Sequence, residues 1–161
     1  MSFQQIRAHI ESRVNAAFQA LVPPVEVVFD NTAESPPALP YAVCLISYVS
    51  TTEPVVCQTE SAVENLRGNL QISVYAPRGR GMGALELYGA EAMQVMNTMY
   101  DPNAEARVKC GQISGPTPVL ANDEPYALVT VSCPFNARFV PSGGDTRQVS
   151  SRDIFLTNPL P

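Results

Sequence analysis

The chain has no tryptophan, a single histidine, His9, and a single lysine, Lys109. Charged residues make up 16% of it, against about 25% in an ordinary globular domain. With one histidine, any Ser–His or Cys–His catalytic pair would have to be built on His9, which falls beside the apolar stripe of a helix and reads as structural. No serine sits in G-x-S-x-G, and no D-x-[DN]-x-[DN]-G loop is present. Cys44, Cys57, Cys110 and Cys133 form no C-x-x-C pair, which argues against a zinc site and for reduced, packed thiols. No apolar run approaches the ~20 residues of a membrane span. Residues 1–22 carry Arg7, Glu11 and Arg13 at helical spacing, so they read as a helix rather than a signal peptide, and the expectation is a soluble protein made in a cytoplasm. The net charge of -5 and the lack of a basic run argue against a sequence-independent DNA binder. Arg78 and Arg80 are a pair, not a patch. An acidic chain could still line a passage through which DNA slides without sticking.

What is present is a chain of 161 residues, 45% apolar, with fifteen prolines that punctuate it. The expected helix over 3–21 opens on an S-x-x-Q box, Ser2 and Gln5, and is stopped by Pro23 and Pro24. Its stripe is Phe3, Ile6, Ile10, Val14, Ala17, Phe18 and Leu21. A short strand is expected at 25–29. The next strand, 41–50, is apolar in both phases, which predicts cover on both faces. Residues 55–67 read as an extended hairpin with an exposed far end. A strand is expected at 107–113, running on toward 120, and the last at 126–139. In that last strand Val129, Val131, Cys133 and Phe135 share a face, and Pro134 predicts an edge or bulge. After 140 the pattern is lost, apart from an apolar island at Ile154, Phe155 and Leu156. The pattern predicts an α+β fold: a mainly antiparallel or mixed sheet, two helices on one face, an extended hairpin and a C-terminal tail. Residues 1–139 form one domain and 140–161 the tail.

The central block, GNLQISVYAPRGRGMGALELYGAEAMQVMNTM, reads as strand, glycine-rich loop and helix. Leu70, Ile72 and Val74 alternate with Asn69, Gln71, Ser73 and Tyr75. Leu85, Tyr88, Ala92, Val95, Met96 and Met99 then recur at helical spacing. A loop of this kind before a helix can cradle phosphate. Here the lysine and hydroxyl of a P-loop are missing, and G-x-G-x-G is not the dinucleotide spacing. A small nucleotide-binding enzyme is therefore the weaker alternative, and no cofactor, metal or catalytic residue is assigned.

The order and wording of these segments resemble the tail terminator proteins of long-tailed bacteriophages. SFQQIRAHIESRVNAAFQAL, PYAVCLIS, GNLQISVYAPRGRGMGALELYGAEAM and EPYALVTVSCPFNARF carry the resemblance, the third being similar to a family pattern G-x-L-x-[IV]-x-[VI]-Y-x-P-x-G-x-G. The match covers 1–139. It implies a virion structural protein without catalysis, a homo-hexameric ring that caps the tail tube, ends its polymerisation and offers a surface to the head. The implied partners are further copies of the chain, the tail tube protein and a head-side connector, with DNA passing through the lumen without sequence-specific contact. A head-completion or neck connector protein of the same virion region is the alternative. On this reading Val55, Val56, Val63 and Leu66 of the hairpin, with Ile154, Phe155 and Leu156 of the tail, are candidate subunit-interface residues. Arg78 and Arg80 are candidates to face the tube or lumen.

Overall fold

Ile6, Ile10, Val14 and Phe18 recur every fourth residue and are fully buried, so they draw helix α1 (Ser2–Gln19) onto its sheet. In this computed structural model the described residues are 2–30, 35–52, 65–79, 81–119 and 124–139. α1 includes Ser2, the residue expected to cap it. Its end is closed by the Phe18 carbonyl, which accepts from Val25 N at 3.1 Å, while Pro23 and Pro24 have no N–H with which to continue the helix.

Six strands follow the sequence pattern: β1 (Glu26–Phe29), β2 (Tyr41–Thr52), β3 (Asn65–Pro77), β4 (Ala106–Cys110), β5 (Ser114–Val119) and β6 (Tyr126–Phe139), with helix α2 (Gly83–Asn97) between β3 and β4. The fold is α+β. The sheet is mixed, ordered β1-β2-β3-β6-β4, with β5 also on β6. β1 runs parallel to β2 and the other pairs are antiparallel. Alternation decides the core. Ala42, Cys44 and Ile46 of β2, Leu66, Leu70, Ile72 and Val74 of β3, and Val129, Val131, Cys133 and Phe135 of β6 all face the helices. On α2, Leu85, Gly89, Ala92, Val95 and Met96 meet them.

Three expectations are corrected. β2 is central but covered on one face only: Leu45 and Val49 are 42% and 68% exposed, because both helices lie on the other side. The stretch after residue 106 is two strands along β6, broken at 111–113. Pro134 is not at the sheet edge but inside it, where β6 changes partner from β5, which reaches Ser132, to β4, which begins at Phe135. The Pro134 carbonyl accepts from Gly111 N at 2.7 Å, so its nitrogen, which has no hydrogen to donate, faces the same break in the ladder. Gly115, the second residue of β5, has φ +107, and a side chain there would meet the Thr130 carbonyl.

Polar contacts fix α1 on this frame. The Arg7 guanidinium reaches Glu11 and Asp30, each at 3.3 Å, and donates to the Ile46 carbonyl. Arg13 donates to the Thr98 carbonyl at 2.6 Å, and His9 Nε2 lies 3.2 Å from that of Met99, so both meet the chain just past the C-terminus of α2. His9 is thereby a contact between α1 and the segment that follows α2.

Cys44, Cys110 and Cys133 are free thiols, and Cys57 lies outside the described residues. Burial pushes the Cys44 thiol up to about 12, helped by the carboxylates of Glu11 and Asp30 and opposed by Arg7. The folded chain thus keeps a proton that the unfolded chain releases near 9, and the stability this confers is present below pH 9 and lost between 9 and about 12. Thermal melts from pH 8 to 11 should show a shallower alkaline loss for Cys44→Ala than for the parent, by up to about 1.4 kcal/mol per pH unit. Parallel curves would remove this thiol as the cause.

Candidate functional site

The sheet face away from the helices is uncovered among the described elements, and it changes character along the strands. At one end Tyr41, Tyr75 and Tyr126 meet across β2, β3 and β6. The Tyr41 and Tyr75 rings stack at 4.9 Å, and Tyr126 stands edge-on to Tyr75 at 5.2 Å. Burial, then the neighbouring phenols of Tyr75 and Tyr126, raise the Tyr41 hydroxyl above its ordinary range. The middle is polar. Ser73, buried on this face, shares a hydrogen bond of 3.0 Å with Thr130 and accepts from Gln71. A shallow groove of about 480 Å³ runs past Leu45, Ser47, Asn69, Gln71 and Ser132.

The other end is cationic. Strand register sets Asn65, Arg138 and Arg107 side by side in one row across β3, β6 and β4, and Arg67, Asn136 and Lys109 in the next. These six positions hold four cations, two amides and no carboxylate. Arg107 stands directly opposite Arg138, a like-charged pairing that costs stability in a sheet. Asn65 Oδ1 accepts from Arg138 Nε at 2.8 Å, whereas Arg107 Nε is buried without a hydrogen-bond partner among the described residues. Asn65, Arg107, Lys109, Asn136 and Arg138 line a groove of about 650 Å³ that also takes in Cys110 and, from the end of α2 and just beyond it, Met96, Asn97 and Tyr100.

This patch corrects the expectation, drawn from the lack of a basic run, that no cation cluster exists: its residues are scattered from 67 to 138 and only the strand pairing collects them. The signal was alternation phase: each cation falls on the phase opposite its strand's buried residues, but only the register shows that the three strands are neighbours.

Of the residues singled out from the sequence, Arg78 is exposed at the end of β3. Its N–H donates to the Pro125 carbonyl at 3.2 Å and its guanidinium to that of Glu124, so it tethers the loop to the start of β6. Leu66 is corrected: it is fully buried on the helix-facing side of β3, because that strand and its alternation begin at Asn65, not at Asn69. Val55, Val56, Val63, Arg80, Ile154, Phe155 and Leu156 lie outside the described residues. The glycine loop has Gly79 and Gly81 at positive φ and leads into α2, whose N-cap, Met82, makes no side-chain cap. Beside it a recess of about 50 Å³ is lined by Pro40, Pro77, Gly81, Leu85 and Tyr88. Small-molecule sites occupy roughly 300–1,000 Å³, so this recess does not suit a nucleotide. Among the described residues no group of three His, Cys, Asp or Glu is placed to hold a metal ion, and no helix is long and apolar enough to cross a membrane.

These features define a two-layer α+β domain with one helix-covered and one open sheet face. No protein-family model and no curated protein matches the chain. A solved structure whose name carries no functional term is similar to it, at a TM-score of 0.64 and 26% identity, over 88% of this chain and 99% of its own. That likeness bears on the fold and brings no activity with it.

Proposed function

We propose that this chain is a virion structural protein, a phage tail terminator that binds the last ring of the tail tube, ends its polymerisation and presents a surface to the head. The observation that carries this reading is where the family-like wording falls. Its strand–loop–helix part is one continuous unit, β3, the glycine loop and α2, and its closing part is β6, which pairs with β3 along its whole length. The chain acts by binding, without a cofactor or catalysis. Copies associate in a six-membered ring through heterologous contacts, which close when the rotation between neighbours allows it. Val55, Val56 and Val63, and Ile154, Phe155 and Leu156, are the proposed contact residues, and the tube protein and a head-side connector are the proposed partners in the virion.

Electron microscopy of a lysate from phage lacking this product tests the proposal. Overlong tubes with headless tails are the expected result. Tails of normal length beside unjoined or leaking heads would assign the chain to head completion instead, and normal infectious particles would overturn both.

A further inference from the structure

The geometry points to a binding site for the phosphate backbone of duplex nucleic acid at the cationic end of the open sheet face, formed by Arg67, Arg107, Lys109 and Arg138. Seven of the chain's ten basic residues are described, and these four share two adjacent rows of one sheet. Folding alone gives no reason for the grouping. Arg107 opposes Arg138 across a strand pair, and its Nε is buried with no partner among the described residues. Both arrangements cost stability, and an anion seated between the rows would offset the repulsion between the two guanidinium groups.

The chemistry of the six positions selects the kind of anion. Residues two apart on a strand are about 6.6 Å apart and neighbouring strands about 4.8 Å apart, so the four charges form a compact, nearly flat array. Arginine, lysine and asparagine are the side chains that position a nucleic-acid backbone through its phosphates without reading sequence. None of the six positions is apolar, and the apolar lining of the adjoining groove, Met96, Cys110 and Tyr100, comes from outside the two rows, so the rows themselves offer no apolar anchor to a protein partner. The remainder of the chain is acidic, with a net charge of -5 for the whole, which keeps such contact weak and easily reversed. The site stands on this arrangement and does not depend on the tail-terminator reading, which requires no contact with nucleic acid.

Fluorescence anisotropy of a labelled 30-base-pair duplex of mixed sequence, titrated with the full chain at several salt concentrations, tests it. Four phosphate contacts predict that affinity falls roughly 100-fold between 50 and 200 mM salt. The double variant Arg67→Gln, Lys109→Gln removes two exposed cations and should reduce that fall to roughly 10-fold, with an unchanged melting temperature. Arg13→Gln with Arg78→Gln removes the same charge elsewhere and should leave the salt dependence as it was. No binding at 50 mM salt, or equal loss in the two double variants, would overturn the site. So would poly-glutamate competing as well as unlabelled duplex. A parent chain whose self-association is lost in Arg67→Gln, Lys109→Gln would overturn it too, assigning the patch to contact between copies.

Discussion

Gly68→Ala is expected to lower the melting temperature by about 10 °C, from a loss of about 3 kcal/mol. Gly68 lies near the start of β3, opposite Phe135 of β6 and beside the irregular step between Tyr48 and Ser50 of β2. A Cβ added there would collide with the Ser47 carbonyl and stand 2.5 Å from Phe135 Cζ. The first obstacle is backbone in a paired strand and cannot swing away. The second is a ring that is almost completely buried and meets Tyr48 edge-on at 6.2 Å. A double-mutant cycle separates them. Phe135→Ala alone should cost about 3–5 kcal/mol, and the pair should cost less than the sum, by about 1 kcal/mol or more, because the ring that the added methyl would strike is gone. Additive losses would mean that the Ser47 carbonyl carries the whole clash. An unchanged melting temperature for Gly68→Ala would contradict the packing described.

The second large effect is expected at Phe18. Its side chain is fully buried, and its carbonyl receives the N–H of Val25 where the chain leaves α1 for the sheet. Phe18→Ala should destabilise the domain by about 3–5 kcal/mol, a large part of the roughly 5–15 kcal/mol that holds an ordinary domain folded. Val22, four residues on and 97% exposed, provides the control: Val22→Ser should stay within about 0.5 kcal/mol of the parent in urea denaturation. Comparable losses at both positions would show that α1 is not anchored through Phe18.

Much of this fold could be read from the chain. The four-residue recurrence of Ile6, Ile10, Val14 and Phe18 can bury its apolar stripe only as a helix. The alternation from Tyr126 to Phe139 located the last strand with both ends in place. Reading failed where a neighbour decides the outcome. The apolar residues in both phases of β2 suggested cover on both faces, but whether a second layer exists depends on which side the helices pack. Leu66 reads as part of a polar hairpin arm because its burial depends on β3 extending back to Asn65, which pairs with both Thr52 and Arg138. Pro134 reads as an edge or a bulge because a missing donor is harmless at either; the change of partner along β6 interrupts the ladder and makes it equally harmless inside the sheet.

By itself the sequence determined both helices, the apolar phase of β6, the burial of Cys44 and Cys133 and the absence of recognisable catalytic motifs, because periodicity and side-chain chemistry are local properties. Only the tertiary structure decided that one sheet face stays open and that Arg67, Arg107, Lys109 and Arg138 stand together on it. Those residues are spread from 67 to 138 along the chain, and the register of β3, β6 and β4 brings them within reach of one another. Register is fixed by how three distant strands bury their opposite faces against α1 and α2, and no local pattern encodes it.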